Sequence, residues 1–333
     1  MGKIRINGTV LDITEDDREM LKATASTDED KATKYRQALA QMVEKAWKQG
    51  VLEPDLNFGI FDRIMVAPGA DVKFPLDFFA PGTEEYYAAY IVPREGAIPE
   101  RMIEGDELYV PTYKIANAIS WDLDYAKDGR WDIVGRAIEA FTNGFVRKLN
   151  DEGWHIILQA ASDHTVQSDS SASSGVMSKQ LITTLQTAIK RLTGGRNSRV
   201  TDLFLSPEAI ADIRNFDNTA LDDLTLRNLL VAGEDGVPQL FGVKLHELQE
   251  LGVGQEYQTY LTGTLSASLA AGDAEFVVAL DLLNRDSFVM PVREDLTMYN
   301  DPTLTRKMRA GVFGWMRVGF AVLDTRRALL GSL

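Results

Sequence analysis

Three histidines, His155, His164 and His246, are the side chains best suited to moving a proton or holding a metal at neutral pH. His155 falls within a long helical pattern and His164 in a polar loop, so no two share a helical turn. They read as surface or satisfied core residues rather than ligands. Asp122 with Asp124 and Asp222 with Asp223 have the hard oxygens a divalent cation wants, but no glycine-centred ligand loop surrounds them, and they read as solvated acidic turns. The pairs Gly194 with Gly195 and Gly252 with Gly254 lack the lysine and hydroxyl of a phosphate loop and the third glycine of a dinucleotide fingerprint. Ser206 is followed by proline, without the flanking glycines of a nucleophile elbow. With no cysteine in the chain, disulfides, thiolate catalysis, zinc fingers and iron-sulfur ligation are excluded. Trp121, Trp131, Trp154 and Trp315 read as core or interface anchors. No catalytic residue, metal or cofactor is expected, and a structural role outweighs that of an intracellular enzyme.

The elements around these residues set the rest of the reading. The chain has 333 residues, 45% of them hydrophobic and 25% charged, enough for one large domain or two moderate ones. No stretch approaches ~20 consecutive apolar residues and Met1 to Val10 lacks a secretory pattern, so a soluble, cytoplasmic protein with no membrane partner is expected. The formal net charge of -14 is opposite to that of a protein gripping nucleic acid, although it suits a wall past which nucleic acid must slide.

Thr14, Glu15, Asp16 and Asp17 mark a helix start. Asp30 to Gln49 places Tyr35, Leu39, Met42, Val43 and Trp47 near helical spacing, with Gly50 closing the helix. Its apolar stripe is thin, which suits either an arm over another subunit or a surface helical hairpin. From Phe61 to Trp121 the chain turns β-rich and proline-punctuated. Strands are expected over Glu85 to Val92 and Glu107 to Asn117, flanking a polar tip at Pro93 to Glu100. This is a long hairpin that either leans on a neighbour or folds into a core.

Gly129 to Ser162 reads as the longest helix, with Trp131, Val134, Ile138, Phe141, Phe145, Leu149 and Ile156 on one stripe, roughly 45 Å at ~1.5 Å per residue. A polar loop is expected over Ser162 to Gly175. Ser178 then caps a helix bearing Leu181, Leu185, Ile189 and Leu192, ended by Gly194 and Gly195. The strand Val200 to Leu205 meets Ser206, Pro207 and Glu208, an N-cap serine, a first-turn proline and a carboxylate at the dipole's positive end. Short β segments are expected from Phe241 to Val292, and a long apolar strand from Met308 to Leu323. No internal repeat is visible, which argues against a solenoid.

In this order, several segments resemble the tailed-bacteriophage major capsid proteins of the Hong Kong 97-type fold. Arg94, Glu95, Gly96, Ala97, Ile98, Pro99 and Glu100 resemble that family's extended-loop tip, and Ile119 to Leu123 the lead into its spine helix. Leu205 to Ala209 looks like the strand-to-helix corner of the axial domain, and Gln239 to Lys244 like the glycine-containing strand after it. Val292 to Asp295 and Lys307 to Val322 resemble the return strand.

The resemblance implies an α+β fold with an N-terminal arm (1–58), an extended-loop region (59–123), a peripheral domain (124–200 and 287–333) with its spine helix at 129–162, and an axial domain (201–286). It further implies a shell of pentamers and hexamers around double-stranded DNA, a portal protein, non-specific contact with packaged DNA, optional decoration, and a virion capsid assembled in the host cytoplasm. An encapsulin-like compartment is the alternative within the same fold. Arg94, Glu95, Ile98, Arg101 and Glu104 are the expected inter-subunit contacts at the loop tip, with mere solvation as the other reading. Where the family's self-welding members carry a tip lysine and a return-strand asparagine, this chain has Ile98 and Pro99 at the tip and Lys307 before Met308. A shell without isopeptide cross-links is therefore expected. With the sequence beginning at Met1, N-terminal processing is not expected and a separate scaffolding protein is.

Overall fold

The computed structural model describes residues 3–6, 9–12, 15–26, 28–51, 59–67, 69–75, 107–166, 176–193, 198–214, 238–267, 275–283 and 285–333. The N-terminal elements are strands β1 (Lys3–Ile6) and β2 (Thr9–Asp12), helices α1 (Glu15–Thr24) and α2 (Glu29–Val51), and strands β3 (Asp62–Met65) and β4 (Lys73–Pro75). After β5 (Glu107–Tyr109) and β6 (Tyr113–Asp122) come the short α3 (Leu123–Lys127) and the long α4 (Trp131–Ser162). Then follow β7 (Thr165–Val166), α5 (Lys179–Leu192), β8 (Asp202–Leu205), α6 (Pro207–Arg214), β9 (Gln239–Leu240), β10 (Val243–Glu247) and α7 (Glu256–Thr259). The chain closes with β11 (Phe276–Leu280), β12 (Phe288–Asn300), β13 (Arg309–Val318), β14 (Ala321–Val322) and β15 (Ala328–Ser332). The chain forms two compact units.

The first unit comprises Met1–Val72, Val110–Gly153 and Met290–Phe320. Its sheet is built on β13, which pairs antiparallel with β6 from Arg309↔Asp122 to Val318↔Tyr113 and on its other side with β12, while β3 joins β12. One face is apolar by alternation: Ala310, Val312, Met316 and Val318 of β13 are buried with Ile115 and Trp121 of β6. Asn117 on this side donates to the Phe141 carbonyl of α4 at 3.2 Å. Val134, Ile138, Phe141, Phe145 and Leu149 of α4 are buried at the three- and four-residue steps of the sequence pattern. Tyr113 also reaches α4, donating to Glu152 at 3.3 Å. Burial raises its phenol well above the usual range and the charges of Glu152 and Asp151 reinforce this, so it keeps its proton. The helices α1 and α2 form a hairpin within this unit, and the Trp131 indole donates to the Asp17 carbonyl of α1 at 2.8 Å.

The second unit comprises Lys73–Tyr109, Trp154–Val289 and Ala321–Leu333. Its sheet runs β7-β15-β11-β8-β10-β9, with β8 and β10 parallel and β11 antiparallel to both β8 and β15. All five residues of β11 and all four of β8 are buried, as expected of central strands. Leu181, Ile182, Leu185 and Ile189 of α5 and Ala209, Ile210 and Ile213 of α6 cover this sheet in one core with Leu203, Leu205, Leu245, Val277 and Leu329. Ser178 caps α5 by accepting from Leu181 N–H at 3.2 Å, and Ser206 caps α6 by accepting from Ala209 N–H at 3.0 Å.

Several expected elements differ. Glu107 to Asn117 is not one strand: Pro111, with no N–H to give a ladder, interrupts it. The first part pairs with β4 and the second continues to Asp122 along β13. The helix expected to close at Gly50 runs on to Val51, within the ~1 kcal/mol that a helical glycine costs. The long helix begins at Trp131; Gly129 before it sits at φ 63°, and a β-carbon there would meet Lys22 Cε at 2.8 Å. Ile156 is only half-buried, because the buried stripe passes to Trp154, Ile157, Leu158 and Ala161. The polar loop after Ser162 contains β7, paired parallel with β15. Gln239 to Lys244 is a hairpin turn, not one strand, with Phe241 and Gly242 both at positive φ. Within Phe241 to Val292, Gln249–Leu251 forms a 3-10 turn, and α7 widens into a π-helical turn at Tyr260–Thr264.

Candidate functional site

The chain leaves β4 at Pro75 and returns at Glu107, and these two residues are paired across the ladder. The β4–β5 ladder thus holds together the two ends of the segment 76–106. Lys73 Nζ lies 3.1 Å from Glu107 Oε2 at its base. The expected contact residues Arg94, Glu95, Ile98, Arg101 and Glu104 all fall in this segment and lie outside the described residues, as do Asp222, Asp223, Gly194 and Gly195.

What the structure adds is a surface in the first unit. On the face of the sheet opposite α4, Tyr299 of β12 stacks on Trp315 at 4.7 Å and on Phe313 at 5.7 Å, and Lys114 Nζ sits 5.8 Å from the Trp315 ring centre. Tyr299 remains 42% exposed. Met308, at the entry to β13, is 75% exposed and sits at φ 55°. The three stacked rings, of which Tyr299 is exposed, gain from any cover that removes them from water, at about 25 cal/mol per Å² of apolar surface. Phe313 and Trp315 show their alternation in the sequence. Tyr299 joins them through a pairing interrupted by register shifts between Val292 and Thr297, which no local pattern announces.

The residues considered for chemistry are placed apart. His246 Nε2 lies 2.7 Å from Asp202 Oδ1, and its ring stacks on Phe204 at 4.8 Å. Burial works against the ionised Asp202, but hydrogen bonds from His246 and Thr201 and the charges of His246 and Lys244 prevail and hold its carboxyl below the usual range. The His155 ring lies 4.3 Å from that of Tyr260 at a tilted angle of 54°, and His164 lies 3.3 Å from Thr325 Oγ1. Among the described residues no group of three His, Cys, Asp or Glu is placed to hold a metal. Asp122 instead caps α3, accepting from Asp124 N–H at 3.0 Å, while Asp124 pairs with Lys127 at 2.9 Å. Ser206 donates to Glu275, a carboxylate that burial raises above its usual range, with Glu208 and Asp212 adding to the rise. The remaining buried acid, Asp281, pairs with Arg327 at 2.7 Å where β11 and β15 meet.

No protein-family model and no curated protein matches the chain. Solved structures do. A structure from Microbacterium phage Oxtober96 covers 83% of this chain and 90% of its own at a TM-score of 0.52 and 13% identity. The capsid of an empty GTA particle covers 83% and 88% at 0.52 and 14% identity. The capsid of the cyanophage P-SCSP1u covers 82% and 86% at 0.53 and 14% identity. At such identities the likeness is one of fold: the chain has the α+β fold of phage capsid proteins, the Hong Kong 97 type.

Proposed function

We propose, from a fold shared with phage capsids, that the chain is a major capsid protein of a tailed phage: a structural subunit, not an enzyme, whose copies close into an icosahedral shell around double-stranded DNA. The observation that carries this is the fold likeness across more than four fifths of the chain. The pairing of β4 with β5 and the stacked aromatic cluster of the first unit support it. A segment whose ends are held together and an aromatic cluster with an exposed tyrosine both gain stability when copies overlap, which couples folding to assembly. The net charge of -14 keeps packed DNA from adhering to the wall.

Within this reading, residues 1–58 serve as the N-terminal arm, 59–123 as the extended-loop region, 124–200 and 287–333 as the peripheral domain, and 201–286 as the axial domain. The tip residues Arg94, Glu95, Ile98, Arg101 and Glu104 contact the neighbouring subunit. Copies form pentamers and hexamers beside a portal protein, with a separate scaffolding protein guiding assembly in the host cytoplasm and a decoration protein as an optional addition. Ile98, Pro99 and Lys307 stand where welding chemistry would need other side chains, so the shell is held without isopeptide bonds. Particles boiled in detergent then run on a denaturing gel at the subunit mass of 36.9 kDa. A ladder of high-mass species would refute that part. Nuclease-resistant double-stranded DNA recovered from native virions supports the shell's cargo; particles that hold protein cargo instead would overturn it.

A further inference from the structure

The turn between β9 and β10 has Phe241 at φ 52° and Gly242 at φ 77°. Positive φ at both central residues is the type I′ geometry of tight hairpins, which favours Asn or Asp followed by glycine. A bulky aromatic at the first of these positions is strained. Nor does the subunit's core use the ring: Phe241 is 43% exposed. The turn is nonetheless pinned to α5, with Lys179 Nζ 5.3 Å from the ring centre and Gln186 donating to the Phe241 carbonyl at 3.3 Å. A strained position occupied by an exposed ring and held firmly in place points to a partner outside the chain's own fold.

A complementary patch follows the opposite end of β10. There the chain passes through the Gln249–Leu251 turn toward α7 and exposes Val253, at 59%, between the exposed Glu250 and Glu256. The two patches flank one five-residue strand, about 17 Å long at ~3.4 Å per residue. One is apolar with a cation and the other apolar with two carboxylates. On a chain whose net charge of -14 makes copies repel on average, such a pairing offers local attraction.

We propose that Phe241 and Lys179 of one copy dock onto Val253, Glu250 and Glu256 of the next, a head-to-tail contact between copies in a ring. This inference rests on the shell reading. Because the two patches differ, the contact is heterologous, and repeating it generates a ring where the rotation closes.

The absence of native cysteine makes a direct test available. In particles of the Phe241→Cys, Val253→Cys double variant, oxidation links copies only if the two positions meet within disulfide reach. A non-reducing gel then shows a ladder of subunit multiples that neither single variant gives. Oxidised particles of the double variant that run as monomers overturn the contact. A second readout uses charge alone: Lys179→Glu or Glu256→Lys lowers the assembled fraction roughly tenfold by setting like charges opposite each other, and the Lys179→Glu, Glu256→Lys pair recovers it. A folded charge-swapped pair that recovers nothing overturns it as well. If the unaltered chain assembles into nothing larger than a monomer, the shell reading falls and takes this contact with it. If it forms particles and the two variant tests fail, the contact alone falls.

Discussion

Replacing Arg327 with methionine tests how the second unit's sheet is closed. Asp281 is 0% exposed and follows β11, while Arg327 precedes β15, so their 2.7 Å pair fastens the point where these paired strands meet. Asp281 also accepts from Leu283 N–H at 3.1 Å, and its own N–H donates to the Arg327 carbonyl at 3.0 Å. Arg327→Met keeps the side-chain length and leaves the carboxylate buried without its cation, a change that costs about 3–5 kcal/mol. The pH dependence is fixed in sign. Burial raises the carboxyl of Asp281 above its usual range, against the opposing effects of Leu283 N–H and Arg327. A carboxyl raised on folding contributes stability below its unfolded value and loses it as pH rises through the folded value. Losing Arg327 raises it further, so the deficit against the unaltered chain is full at pH 8 and shrinks toward pH 5. The double variant Asp281→Asn, Arg327→Met, with no charge left to bury, recovers most of the loss. Urea unfolding followed by tryptophan fluorescence at both pH values measures this. A deficit under about 1 kcal/mol at pH 8, or one that grows on acidification, would refute the reasoning.

Three other substitutions have clear outcomes. Gly311→Ala places a β-carbon 2.4 Å from the Ile119 carbonyl oxygen and 2.7 Å from Leu304 Cδ1, so β6 and β13 must separate; urea unfolding should show a loss of about 1–3 kcal/mol in unfolding free energy, and an unchanged stability would contradict this. Glu275→Gln keeps an acceptor for Ser206 and removes a carboxyl raised by burial, whose stabilising contribution is lost as pH rises through its folded value. Melting curves should show the variant at least as stable at pH 8 and flatter between pH 5 and 8; an unchanged slope contradicts this. Asp202→Asn weakens the link to His246 by about 1–3 kcal/mol at pH 7. Because the carboxyl of Asp202 is held low, its contribution is present above the unfolded value and lost as pH falls through the folded one. The variant and the unaltered chain should therefore converge in strong acid, and a constant difference down to pH 2 would count against the assignment.

The elements legible in the sequence are those whose signals are local. The stripe from Val134 to Leu149 and the caps at Ser178 and Ser206 need only helical periodicity and a serine in the right place. Pro111 carried the break between β5 and β6 in plain sight, through its missing N–H. The pairing of β15 with β11 and β7 joins segments far apart in the chain, and no pattern within Ala328 to Ser332 says which strands it meets. The turn at Phe241 was hidden for another reason: phenylalanine is a poor residue for positive φ, so propensity argues against the turn that forms. The helical turns from Gln249 to Thr264 mix exposed polar residues with few buried ones, and the periodicity there is too short to read. Of the candidate site, the expected loop tip lies outside the described residues, and Tyr299 joins Phe313 and Trp315 only through a bulged cross-strand register.

An icosahedral reconstruction by cryo-electron microscopy of particles purified from cells making this chain tests the central claim most directly. Closed icosahedral shells are expected in which α4 and the β6–β13 sheet recur in every subunit. Residues 76–106 of each copy are expected to lie across a neighbour. A chain that persists as a small oligomer, or a shell in which 76–106 contacts only its own subunit, would contradict it.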